Sequence, residues 1–229
     1  MNKLYISRNV KLLVCDMAGT TINEGGIVYK TLTNTIRNFN VPIEDHEIKD
    51  WYGVNKTEVL KHFLNRSRQN DDILPEMLAS FKRELKNNYF NDKSIKLVDD
   101  NLPTLFNKLR QNGVKIALNS GFSVDIQEAL IENLNMRDFI DGYISSESVP
   151  HGRPEPFMIQ ELMKRFDITN PKEVIKVGDS KNDILEGKNA GCLMSVGVLS
   201  GAENEENLKN VGADVILNSV MDFDIKEHQ

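Results

Sequence analysis

Asp16 closes the apolar run Leu12-Leu13-Val14-Cys15 and is followed by the small, turn-forming tail Met17-Ala18-Gly19-Thr20-Thr21. A short apolar run bounded by turn residues reads as a buried parallel strand, and ligands of such sheets bind beyond the strands' carboxyl ends. Asp16 is thereby placed where chemistry is done, although its carboxylate would also serve as a helix cap. A second run, Ile175-Lys176-Val177-Gly178, ends on Asp179, with Asp183 four residues further on. Three carboxylates drawn to one sheet edge repel unless a hard cation neutralises them, and magnesium is the natural occupant. The run over 114–119 leads into Ser120-Gly121, a hydroxyl and a glycine suited to a phosphate oxygen. The rigid loop His151-Gly152-Arg153-Pro154-Glu155-Pro156 presents one guanidinium, able to pair with a carboxylate and a phosphate together. Singly, Ser120 reads as a helix cap, Arg153 as a solvated charge and Asp183 as a first-turn residue favoured by the helix dipole. Their joint occurrence, each tied to the end of a strand-like run, marks them as one site.

Positioning such residues takes strands that alternate with helices. From Ile95 onward the pattern does so: Leu102, Leu105, Phe106 and Leu109 mark a helix with Pro103 in its first turn and Gly113 beyond its end, and the strand at 114–119 follows. Further strands are expected near 140–144, 174–178, 193–198 and 214–217, with helices between. That alternation predicts a parallel sheet covered on both faces. From Val28 to Tyr89 the periodicity is helical instead, through Val28, Leu32, Ile36 and Phe39, then Val59, Leu60, Phe63 and Leu64, then Ile73, Met77, Phe81, Leu85 and Tyr89. This predicts an all-helical insert joined by polar linkers at 23–26 and 91–94, a pairing suited to hinge closure. The expected fold class is α/β: a Rossmann-like, doubly wound parallel sheet formed by residues 1–22 and 92–229, with a helical cap over 23–91.

Composition agrees. At 229 residues and 40% hydrophobic content the chain can bury a sizeable core and carry an accessory domain. A net charge of -6 and a pI near 5.3 leave no electrostatic footprint for nucleic acid. Cys15 and Cys192 both lie in apolar runs and read as packing residues rather than a disulfide. No apolar segment approaches the ~20 residues of a membrane span, and the N-terminus lacks a signal-peptide apolar region, so a cytoplasmic protein is expected.

Taken together, these segments resemble the four motifs of the haloacid dehalogenase superfamily over nearly the whole chain, with Asp16, Ser120, Arg153 and the Asp179/Asp183 pair at the motif positions. Within that superfamily the likeness is to phosphonoacetaldehyde hydrolase (phosphonatase) and phosphonatase-like hydrolases. Asp16-Met17-Ala18-Gly19-Thr20-Thr21 resembles their first motif and Gly152-Arg153-Pro154 the arginine version of the third. Gly178-Asp179 through Glu186-Gly187-Lys188-Asn189-Ala190-Gly191 resembles the fourth. The resemblance implies covalent phosphoryl transfer, with Asp16 as nucleophile forming an aspartyl-phosphate that water cleaves. It implies magnesium held by Asp16, the Ala18 carbonyl and Asp179, with Asp183 binding directly or through water. Arg153 would spread the charge developing on the phosphoryl oxygens, and Thr20, Ser120 and the Gly121 amide would hold them.

Phosphatases of this superfamily carry a second aspartate two residues after the nucleophile, as acid and base; here that residue is Ala18. Phosphonatases also have alanine there, because their leaving group is carbon and an imine on a cap lysine accepts its electrons. Trp51-Tyr52-Gly53-Val54-Asn55-Lys56 resembles that cap segment, which implies Lys56 as the Schiff-base lysine, activated by desolvation under a closed cap. A solvated lysine at a helix start is the other reading of Lys56; Lys49 and Lys61 read as surface charges. The chain departs from phosphonatase at Val59, where a histidine stands, at Phe122 for a tyrosine and at Tyr52 for a methionine. His62, on the same predicted helix, is either a stand-in for that histidine or a surface residue. These departures fit a hydrolase of a related but different small phosphonate or phosphorylated metabolite. A phosphomonoesterase of small phosphate esters and a turnover-deficient phosphate-ligand binding protein are the alternatives. Trp51, Tyr52, Phe63 and Leu64 offer either a cap surface for a homodimer or the cap's own core.

Overall fold

The structure, a computed structural model, describes residues 3–91 and 95–225. Residues 92–94 of the second expected linker and 226–229 of the tail lie outside them. In chain order the elements are β1 (Leu4–Ile6), β2 (Leu12–Asp16), β3 (Ile22–Asn23), α1 (Ile27–Asn38), α2 (Lys56–Arg66), α3 (Leu74–Asn91) and β4 (Lys96–Leu97). They continue as α4 (Leu102–Gln111), β5 (Lys115–Ser120), α5 (Val124–Asn133), β6 (Gly142–Ser145), α6 (Phe157–Arg165), β7 (Val174–Gly178), α7 (Lys181–Asn189), β8 (Met194–Val198), α8 (Glu205–Asn210), β9 (Val215–Leu217) and β10 (Phe223–Ile225).

Six strands form one parallel sheet in the order β6-β5-β2-β7-β8-β9. Its strands are apolar on both faces because successive side chains point to opposite sides and each side is covered. Leu13 and Cys15 of β2 pack into one core with Ile116, Leu118, Ile175 and Val177. Leu12 and Val14 turn the other way, against Ala117, Met158, Ile159 and Leu162. The chain runs outward from β2 through β5 to β6, then returns to the opposite side of β2 as β7. The crevice at such a reversal, at the strands' carboxyl ends, is where this architecture binds ligands. Asp16, Ser120 and the turn after Gly178 all end there.

Helices α1, α2 and α3 lie between β3 and β4, which pair antiparallel as a two-stranded stem. Within this helical segment Phe63 and Leu64 are buried in the chain's own core, so of the four residues considered for a cap surface only Trp51 and Tyr52 stay partly exposed. The short pair β1–β10, which joins the two ends of the chain, has no counterpart in the sequence pattern. Cys15 and Cys192 are buried free thiols, both pushed up to about 12 by burial. Among the described residues no helix is long and apolar enough to cross a membrane.

Candidate active site

Asp16 is the last residue of β2, and the turn behind it fixes its backbone: Thr20, Thr21 and Ile22 all donate their N–H to the Met17 carbonyl at 3.1, 2.9 and 2.8 Å. Asp179 follows β7, and Asp183 sits in the first turn of α7, where Ser180 caps the helix and shares a reciprocal capping box with it. These three buried carboxylates each offer an oxygen within 4.8 Å of the others. Burial and then the neighbouring carboxylates push Asp179 well above the usual carboxylate range. Burial likewise lifts Asp16 to about 6 against the pull of Arg153. For Asp183 burial acts in the same sense, but the Arg153 and Lys176 cations outweigh it and hold its carboxyl below the ordinary value.

The set fits a divalent cation. Asp179 has no ion-pair partner among the described residues and accepts only the Ala202 amide at 2.7 Å through its side chain. Asp183 Oδ1 is ion-paired with Lys176 Nζ at 2.8 Å and with Arg153 Nη1 at 3.2 Å. A buried carboxylate, Asp179, with no cationic side chain paired to it among the described residues and two further carboxylate oxygens within 4.8 Å, is what an all-oxygen cation site asks of its protein.

Arg153 is 1% exposed and its guanidinium is the hub of the site. Nη1 donates to Asp16 Oδ1 at 2.7 Å and to the Gly53 carbonyl at 3.3 Å. Nη2 donates to Asn119 O and Oδ1 at 2.8 and 2.6 Å, and Nε to Glu186 Oε2 at 3.1 Å. All five N–H groups are thus engaged by protein acceptors, so the sequence expectation that Arg153 also binds phosphate requires one bond to be exchanged. The longest, to Gly53, is the one open to that.

Sequence reasoning missed the layer beneath. Lys176, in the middle of β7 and wholly buried, donates to Asn119 Oδ1 at 2.7 Å and lies 3.4 Å from Glu186 Oε2. Asn119 Nδ2 in turn donates to both Glu186 oxygens at 2.9 Å. The available signal was a lysine flanked by Ile175 and Val177 in a strand buried on both faces, where a cation needs a carboxylate.

The remaining expected residues are placed as follows. Thr20 is buried with no partner for its hydroxyl. Ser120 ends β5 and its Oγ accepts the Phe122 amide at 3.0 Å. A Cβ on Gly121 would lie 2.7 and 2.8 Å from the Val54 and Gly53 carbonyl oxygens, so only glycine lets that segment come this close. Ala18 is partly buried and bridges to Ile22.

Lys56 is the first residue of α2, whose cap is Asn55: its Oδ1 accepts the Thr57 and Glu58 amides at 2.8 and 3.3 Å while its Nδ2 donates to Ser146 Oγ of the core at 2.9 Å. Burial at a helix start, where the dipole also opposes a cation, is an unusual place for lysine. Its Nζ donates to the Val54 carbonyl at 2.8 Å and lies over the Tyr29 ring, 5.0 Å from the centroid. Burial brings its amine down to about 8, with Asp16 opposing and Arg153 assisting. His62 is exposed and stacks on Trp51 at 4.4 Å. Trp51 and His62 line a cleft of about 610 Å³ that reaches Arg153, Pro154 and Asn182 but not Lys56.

The sequence profile described as haloacid dehalogenase-like hydrolase matches residues 13–196. A phosphoglycolate phosphatase of Vibrio cholerae is 24% identical over 217 residues, covering 93% of this chain and 95% of that protein. A phosphonoacetaldehyde hydrolase of Syntrophobacter fumaroxidans is 28% identical over 243 residues, covering 95% and 83%. Among solved structures, a phosphonoacetaldehyde hydrolase like protein from Oleispira antarctica superposes with a TM-score of 0.80 at 20% identity, over 95% of this chain and 91% of that one.

Proposed function

The chain belongs to the haloacid dehalogenase-like hydrolase family, and on that footing we propose that it cleaves a small phosphonate or phosphorylated aldehyde by transferring the phosphoryl group to Asp16. The Asp16 carboxylate, oriented by Arg153 Nη1 at 2.7 Å, attacks phosphorus in line with the departing group. Thr20, Ser120 and the Gly121 amide take the phosphoryl oxygens, a role that the partnerless, buried Thr20 hydroxyl supports. Water then cleaves the aspartyl-phosphate. Asp16, Asp179 and Asp183, with the Ala18 carbonyl, would hold magnesium, which when bound supplies the positive charge that offsets repulsion between carboxylate and phosphoryl oxygens. Excess chelator is expected to abolish turnover. Magnesium at a hundred times its dissociation constant should add about 2.7 kcal/mol to stability, read as a raised thermal midpoint; an unchanged midpoint and chelator-resistant turnover would count against the cation site.

Lys56 carries the phosphonatase-like part of the reading. A buried cap lysine with its amine near 8, in a chain with alanine at position 18, is suited to taking up the electrons of a breaking carbon–phosphorus bond as an imine. Borohydride added with phosphonoacetaldehyde is expected to fix an adduct on the Lys56 peptide and end activity. The rate of trapping should rise with pH through about 8, because only the neutral amine attacks. Aldehyde turnover with Lys56 unmodified, or undiminished in Lys56→Ala, would remove the role.

A second reading, hydrolysis of phosphate esters, is favoured by the near full-length match to a phosphoglycolate phosphatase. Ala18 weighs against it, since a missing acid slows ester cleavage by about a hundred- to ten-thousandfold. The two buried free cysteines fit a reducing, cytoplasmic setting.

A further inference from the structure

If Lys56 forms an imine, as in the reading above, a water molecule must be expelled from its adduct with the aldehyde, and that oxygen needs a proton. Positions 18, 59 and 122 are alanine, valine and phenylalanine and have none to give. The charged groups that act most strongly on Lys56 are Asp16, Arg153, Glu24 and Asp183. Asp16 is committed to phosphorus, and Asp183 is paired with Arg153 and Lys176 at 3.2 and 2.8 Å. The Arg153 guanidinium does not release a proton. Glu24 accepts from the Gly26 and Val28 amides and from Tyr89 Oη, at 2.9, 2.8 and 3.0 Å.

We propose that Tyr29, on α1 of the cap, is the proton donor that expels water from the adduct on Lys56. Its ring lies beneath Lys56 Nζ, 5.0 Å from the centroid, and is braced on its neighbour Tyr52 at 4.3 Å. Its hydroxyl accepts the Gly53 amide at 2.7 Å, and the hydroxyl's own proton has no acceptor among the described residues. A hydroxyl that accepts a strong hydrogen bond is polarised into a better donor. Burial keeps the phenol in its neutral form, so the proton to be given is present. Tyr52, the other phenol nearby, has Glu203 and Asp179 for charged neighbours rather than Lys56.

The step balances. Nζ adds its lone pair to the aldehyde carbon, and a proton passes from nitrogen to oxygen, leaving a neutral adduct with an amine and a hydroxyl on one carbon. The nitrogen lone pair then forms the C=N bond as the C–O bond breaks. The departing oxygen takes the Tyr29 proton and leaves as water, so a protonated imine faces a tyrosinate, which regains its proton from solvent.

The test pairs two reactions of Lys56, read by peptide mass spectrometry. Trapping of phosphonoacetaldehyde with borohydride requires the dehydration step; carbamoylation by cyanate requires only a placed, neutral amine. Tyr29→Phe keeps the ring and is expected to slow trapping about a hundredfold while leaving carbamoylation and its pH midpoint unchanged. Equal slowing of both reactions would reduce Tyr29 to a support for Lys56, and unchanged trapping would remove it from the chemistry; either overturns the proposal. Site-specific 3-fluorotyrosine at position 29, a more acidic phenol that keeps the Gly53 bond, should speed trapping, and no gain would also overturn it. If the unaltered protein forms no adduct on Lys56 at all, the Lys56 reading fails first and this inference with it; a trapped Lys56 with Tyr29-independent kinetics sinks the inference alone.

Discussion

Asp16→Asn is expected to remove turnover by about ten-thousand- to a million-fold while leaving the protein folded. Asparagine keeps the volume and an oxygen for Arg153 Nη1, but it is no nucleophile towards phosphorus. The stability change has a defined sign. The folded-state value of Asp16, near 6, lies above the ordinary carboxylate range, so its ionised form destabilises the metal-free fold. That penalty is absent below the ordinary range, grows as pH rises from there through about 6, and is complete above it. Metal-free wild-type protein should therefore lose urea resistance over that window relative to Asp16→Asn, and the two should converge in acid. Measurable turnover by the variant above a contaminant level, or a variant less stable than wild type at neutral pH, would show that Asp16 is a structural acid.

Lys176→Met is expected to destabilise the fold by about 3–5 kcal/mol, because it strips the cation from a buried cluster that still contains Asp183 and Glu186. The substituted side chain fits the strand, so the loss comes from uncompensated charge rather than from volume. Adding Glu186→Gln to Lys176→Met should restore a large part of it, since the second change removes one of the stranded carboxylates. Urea unfolding of both proteins measures this. A single variant within about 1 kcal/mol of wild type would mean that Arg153 alone neutralises the cluster.

What was legible in the sequence follows from where each signal is written. Asp16, Asp179 and Ser120 could be found because each lies at or just past the end of an apolar run, and the carboxyl edge of a parallel sheet gathers such ends into one crevice. The strands at 174–178 and 115–120 were readable for the same reason. Lys56 became a candidate only through the resemblance of the segment that begins at Trp51. Asn119, Lys176 and Glu186 were not reachable as a cluster, since they come from two strands and a helix and meet only when the sheet order is known. Tyr29 lies off the Val28, Leu32, Ile36 stripe, so helical periodicity gave it no role; its link to Gly53 crosses from α1 to the segment before α2. Phe63 and Leu64 illustrate the opposite difficulty: apolar residues suit a core and an interface equally, and packing decides. Arg153 was found, but the engagement of all five of its N–H groups is a property of the assembled site.

Covalent transfer to Asp16 is the claim on which the other roles depend, and rapid acid quenching during turnover of a phosphoryl substrate with magnesium, followed by peptide mass spectrometry, tests it most directly. A hydroxylamine-labile phosphoryl group on the peptide carrying Asp16, formed and lost at rates that match turnover, is the expected result. Steady turnover with that peptide unmodified, or with the phosphoryl group on another residue, would contradict it.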